Sequence, residues 1–149
     1  MTAVNALTPA QRDDLRIISA MMIPPSADYD VPGADDAVIQ ADIIRTLDRD
    51  TDKVRAALDH LARLAARPLG DLSEAERNVV ATAFRSTGGA AAAALVRVVL
   101  QCYYRDDRVL RSLGLELRPP FPKGHTLEQG DWSLLEPVKA RPSMWRRAP

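Results

Sequence analysis

Residues able to do chemistry are few in this chain, and their spacing decides what that chemistry could be. Cys102 is the one cysteine among 149 residues, and His60 and His125 are the two histidines. A thiol acts as a nucleophile beside a base, but Cys102 precedes Tyr103 and Tyr104 in the most apolar stretch of the chain, where it reads as a small hydrophobe of the core. A single cysteine also excludes an internal disulfide and a thiolate cluster for zinc or iron–sulfur. His60 falls between Asp59 and Leu61 in a helical pattern and His125 in a proline-rich tail, so both read as solvated side chains and not as a metal pair. Asp28 and Asp30 in DYDVPG resemble the start of a calcium loop, yet Pro32 and Ile39 stand at the fifth and twelfth positions, where oxygen ligands belong. Gly88-Gly89 has no Lys-Ser or Lys-Thr after it and no strand before it, which makes it a helix boundary or a close contact and not a phosphate loop. No catalytic, cofactor-binding or metal residue is assigned.

The remaining polar pattern is a row of arginines. From Ala90 onward the chain is apolar on almost every side of a helix, and its polar residues Arg97, Gln101, Arg105 and Arg108 follow at spacings of four, four and three. That stripe is either a solvated face or a strip turned toward a partner, and Arg97 is carried as a candidate partner contact. Tyr103 and Tyr104 point about 100° apart on a helix, so one can enter the core while the other reaches the tail or a partner.

Five or six helices must position these groups. Thr8-Pro9-Ala10-Gln11 reads as a capping box with Pro9 in the first turn, Leu15, Ile18 and Met22 on one face, and an end at Ile23 before Pro24-Pro25. Residues 24–35 form a turn region. A second helix from about Asp36 carries Ile39, Ile43 and Leu47. Thr51 reads as the cap of a third, with Val54, Leu58, Leu61 and Ala65 on its inner face, ending before Pro68. Ser73-Glu74-Ala75-Glu76 opens a fourth with Val79, Val80 and Ala83 turned inward. The fifth helix follows Gly88-Gly89 and reads as the centre of the bundle. Asp106 or Asp107 restarts the turn, and Gly114 stops it.

Twenty basic and twenty acidic side chains cancel, and a pI near 6.7 removes the electrostatic ground for a nucleic-acid or anionic-membrane binder. The cancellation is between unlike parts. Residues 1–60 hold 11 acidic and 6 basic side chains, residues 61–117 hold 6 and 8, and residues 118–149 hold 3 and 6. The last segment also contains six of the eleven prolines, both tryptophans and Phe121. It is too punctuated for long helices and too apolar for an ordinary linker. Phe121, Trp132 and Trp145 do not by themselves offset the entropy of ordering such a segment, so a surface on another protein is expected to complete it. The longest apolar run, residues 90–100, contains Arg97 and falls short of the roughly 20 residues that cross a bilayer. The opening MTAVNALTPAQRDDLR has neither a basic leader with an apolar segment nor a twin arginine, so the expectation is a cytoplasmic protein, periplasmic only if a partner carries it.

Three segments, MMIPPSADYDVPGADDAVI at 21–39, CYYRDDRVLRSLGL at 102–115 and RPSMWR at 141–146, come in an order that resembles the gluconate 2-dehydrogenase subunit 3 family over roughly residues 10 to 147. These are the small subunits of FAD-dependent sugar or alcohol dehydrogenases of the glucose–methanol–choline type. The resemblance implies a helical subunit without an active site. A separate large subunit would bind the FAD and oxidise a sugar, a sugar acid or a related alcohol. The small subunit would serve its maturation and solubility. Family members often carry a twin-arginine leader; none is read in the opening residues, and a cytoplasmic complex, or one exported on another subunit's signal, is the expectation. The turn from Pro24-Pro25 to Asp36, Tyr103, Tyr104 and residues 142–145 carry over as structural or contact positions.

The sequence thus predicts an all-α protein: a five- or six-helix orthogonal or bundle-like domain over residues 1–117 with an extended, Pro- and Trp-containing tail over 118–149. Its expected role is a non-catalytic accessory subunit with no cofactor of its own, contacting a large FAD-dependent subunit through Phe121, Trp132, Pro142, Met144, Trp145, Tyr103, Tyr104 and Arg97. Nucleic-acid binding and membrane insertion are not expected. The competing reading is a stand-alone helical binding or regulatory protein whose tail folds back over its own body; a small enzyme using Cys102 or a carboxylate pair comes third.

Overall fold

The Thr8 hydroxyl accepts from the Gln11 amide and the Gln11 side chain accepts from the Thr8 amide, so the predicted capping box opens the first helix. In the computed structural model, which describes residues 7–117, 124 and 128–142, helix α1 (Pro9–Met22) ends at Ile23, ahead of the proline pair. It is followed by α2 (Ala37–Thr46), α3 (Thr51–Leu64), α4 (Glu74–Thr87), α5 (Gly89–Tyr103) and the short α6 (Asp107–Ser112), with 3-10 turns at Asp48–Asp50 and Leu69–Asp71. Among the described residues there is no strand, only an isolated antiparallel bridge between Ser26 and Val31 that folds the 24–35 turn on itself. The fold is all-α, and the chain divides into two units, Met1–Leu117 and Arg118–Pro149.

In the first unit, α3 packs on α5, α4 and α1, and α2 closes against α5. Val54, Leu58 and Leu61 of α3, Ile39 and Ile43 of α2, and Leu95 and Val99 of α5 are almost fully buried. The predicted inner faces of α1, α2 and α3 therefore face the core. The centre is shared between α3 and α5, because α5 leaves one side open: Ala90, Ala93, Val96 and Leu100 are exposed, where the sequence predicted a buried cylinder. Apolar composition on all sides could not tell a central helix from one that keeps an uncovered apolar face.

Three local expectations are corrected. Thr51 is the first residue of α3 and not its cap; its hydroxyl donates to the Asp48 carbonyl, because the 3-10 turn at Asp48–Asp50 runs directly into α3. Val79 is 70% exposed, and Phe84 takes the inward place beside Val80. The arginine row does not run along one helix: α5 stops at Tyr103, and Asp106 caps α6 by accepting from the Arg108 amide.

Gly88-Gly89 does separate helices. The axes of α4 and α5 turn by 115° there, and Gly89 has a φ of +51°. Among the described residues no single helix is long and apolar enough to cross a membrane.

The second unit carries a 3-10 turn at Trp132–Leu135 running into one helical turn, α7 (Glu136–Lys139), where the sequence predicted an extended segment. Asp131 caps it, accepting from the amide and the hydroxyl of Ser133.

Candidate functional site

Each arginine of the row reaches an aspartate of residues 36–50. Arg97 donates to Asp50 at 2.7 Å. Asp50 is pulled below the usual carboxylate range by that bond first and by the Arg97 charge in addition. Arg105 bonds Asp42 and also donates to the Thr46 hydroxyl at 3.1 Å, while Arg45 approaches Asp42 from the same helix. Burial alone would raise Asp42, but the two guanidiniums outweigh it and hold the carboxyl low.

Arg108 makes the densest set. Two of its nitrogens donate to Asp36, at 2.8 and 3.2 Å, and two to Asp106, both at 2.9 Å. Asp36 is the cap of α2, accepting from the amides of Val38 and Ile39, so one guanidinium holds the capping carboxylates of two helices. Both carboxyls are lowered chiefly by the Arg108 hydrogen bonds, and Arg108 is itself raised by theirs. The arginines are legible in the sequence as a row; their aspartate partners are not. The available signal was the charge partition itself, with acid concentrated before residue 60 and base after it.

Cys102 lies behind this row at the floor of a cleft of about 810 Å³. It is 2% exposed, its sulfur 3.4 Å from the Thr46 hydroxyl and 3.5 Å from the Arg105 guanidinium. Burial pushes its thiol up, against the weaker pull of Thr46 and Arg105, so it stays protonated near neutrality. Tyr103 is buried and its hydroxyl donates to the Pro32 carbonyl at 3.2 Å, tying the end of α5 to the turn after α1. Tyr104 stands edge-on to it and is half exposed. His60 is not simply solvated: its ring bonds the Thr87 hydroxyl at 2.8 Å and tilts against Phe84. Among the described residues no group of three or more His, Cys, Asp or Glu side chains could hold a metal ion.

Of the other predicted contact residues, Trp132 and Pro142 lie in the second unit, and both are exposed. Every described residue from 128 to 142 is exposed, including Leu134, Leu135 and Val138 on the same short helical turn as Trp132. Among the described residues the Trp132 indole donates to Gln129, at 3.3 Å. Phe121, Met144 and Trp145 lie outside the described residues, as does His125.

A feature that the sequence reading did not single out is an apolar groove of about 770 Å³ in the first unit. Met21 and Met22 at the end of α1, Phe84 of α4, and Ala93, Val96 and Leu100 of α5 line it.

The geometry defines an all-α protein whose arginine row is internally paired and whose exposed apolar side chains include a row on α5 and the 132–138 turn. Compared with protein-family models, with curated proteins and with solved structures, the chain matches none.

Proposed function

We propose that this chain is the non-catalytic small subunit of a FAD-dependent sugar or alcohol dehydrogenase of the glucose–methanol–choline type, stabilising or maturing the flavoprotein that does the chemistry. The observation that carries the reading is the uncovered turn at 132–138. Trp132 is 66% exposed, Leu134 73% and Val138 53%, on a segment whose ends are fixed by an Asp131 cap and a Lys139–Glu136 ion pair. Large apolar side chains held outward on a pre-shaped turn match the anchors of protein interfaces, where aromatic residues supply most of the binding energy. The order of the three sequence segments supplies the kind of partner. The FAD belongs to that partner, and substrate meets the partner and not this chain.

Native purification of the full chain from its own cells tests the proposal. A larger protein with flavin absorbance should accompany it at fixed stoichiometry, dehydrogenase activity should follow that protein, and the chain alone should have none. Removal of residues 118–149 should release the flavoprotein. A full-length chain that runs alone, with no flavin in its fractions, would overturn the proposal.

A further inference from the structure

The groove between α1, α4 and α5 is an apolar surface of the first unit. Its floor is made by Phe84 and Ala92, both nearly buried, and one wall by Val96 and Leu100, each 37% exposed. Ala93, Val96 and Leu100 follow one another at spacings of three and four along α5, the row that packs into the grooves of a crossing helix. The surface continues over α4 through Asn78 and Thr82 to Val79, which is 70% exposed. Arg85 is the one titratable side chain lining the groove, and it has no ion pair among the described residues.

We propose that this groove receives the apolar face of an amphipathic helix from a partner protein, with acidic side chains along the edge that meets Arg85. A helix seats its residues at i, i+3 and i+7 in such a channel, and an edge that offers a cation and no carboxylate selects acid on the incoming side. The same edge disfavours a second copy of this chain. In a two-fold contact the groove would meet its own surface, bringing Arg85 toward Arg85 with no carboxylate in the lining to receive it. It also disfavours an anionic lipid surface, which is recognised by clusters of basic residues and not by one. The proposal deepens the accessory-subunit reading and rests on it for the identity of the partner; the groove's preference for an acidic helix can be measured without that partner.

The probe is a synthetic helical peptide with leucines at i, i+3 and i+7 flanked by glutamates, titrated into the full chain and compared with the same peptide flanked by lysines. The glutamate form should bind about threefold or more tighter, Arg85→Glu should reverse that order, and Leu100→Asp should weaken binding about tenfold or more. Leu100→Ala serves as a milder second variant, and circular dichroism checks that each variant keeps its helices. Equal binding of the two peptides, binding indifferent to Leu100→Asp, a dimer of the chain that Leu100→Asp dissociates, or capture by anionic vesicles would each overturn the proposal. If the Leu100→Asp chain still purifies with a flavoprotein while the peptide never binds, the groove is wrong and the accessory-subunit reading stands. If the peptide binds as stated and no flavoprotein accompanies the chain, the reverse holds.

Discussion

The Arg108 guanidinium clasps Asp36 across 72 residues of sequence, donating two hydrogen bonds to the carboxylate that already caps α2. Through the same guanidinium it holds Asp106, the cap of α6. The start of the second helix and the start of the sixth are therefore fixed to one another by a single side chain. Tyr103 adds a third tie a few residues away, from the end of α5 to the Pro32 carbonyl.

Replacing Arg108 should accordingly loosen two helix starts at once. Its side chain is 38% exposed, so solvent screens part of the interaction, and Arg108→Met is expected to cost about 1 kcal/mol. Asp36→Asn keeps the cap while removing the charge, and Asp36→Ala removes both, adding about 1 kcal/mol for the lost cap. In urea denaturation, a double-mutant cycle between Arg108→Met and Asp36→Asn should give a coupling energy that accounts for most of the Arg108 effect. Additive losses would mean that the fork contributes through packing alone.

The same ion pairs set the acid limb of stability. Arg108 hydrogen bonds hold Asp36 and Asp106 below the usual aspartate range. A depressed native pKa adds stability that is fully present above the unfolded value of about 4 and is lost as pH falls through the native value. Asp14 works in the opposite sense, because burial raises it, so its contribution declines as pH climbs through its own titration. The stability of the native chain should fall on acidification below about pH 4, with a shallower fall in Arg108→Met. Identical acid limbs for the two proteins would remove these pairs from the account.

What the sequence disclosed and what it withheld have physical reasons. Capping boxes at Thr8 and Ser73, proline at the first turn, and glycine where α4 meets α5 are local signals, and each sits where the pattern placed it. The inner faces of α1 to α3 were legible because apolar residues recur at helical spacing among polar ones. On α4 and α5 that contrast fails. Val79 and Val80 are adjacent and equally apolar, yet Val80 is buried with Phe84 on the inner face and Val79 is exposed. The arginine row was visible as a pattern, but its partners lie dozens of residues away, and no spacing rule links Arg97 to Asp50 or Arg108 to Asp36. The groove stayed hidden for the same reason, since three helices have to meet before it exists.

The two glycines at the α4–α5 bend should fail differently. A β-carbon on Gly88 would lie 2.4 Å from the Ala92 β-carbon and 2.7 Å from the Phe84 carbonyl oxygen, so Gly88→Ala forces the helices apart at a cost of about 2 kcal/mol. Gly89 has open space around it and a φ of +51°, so Gly89→Ala costs about 1 kcal/mol from backbone conformation alone. Asparagine tolerates that conformation, so Gly89→Asn should recover much of the loss, while Gly88→Ser should remain as destabilised as Gly88→Ala. Chemical denaturation of the four variants reads this order directly.

Trp132 separates the requirements of folding from those of association. With 66% of the residue exposed and a hydrogen bond to Gln129 on the same exposed segment, its loss removes only the minor, covered part of its surface from the chain itself. Trp132→Ala should therefore shift stability by no more than about 0.5 kcal/mol. Phe84→Ala, at a side chain only 5% exposed, should cost about 3 kcal/mol or more. In the proposed complex the order should invert: an aromatic anchor seated in a partner's surface loses about 2 kcal/mol or more on truncation, roughly thirtyfold in affinity. Leu134→Ala, on the same turn, should act in the same direction with a smaller effect. Thermal melts alongside measurements of how much flavoprotein each variant retains would test both halves. Unimpaired retention by Trp132→Ala would show that the exposed turn is not what the partner grips.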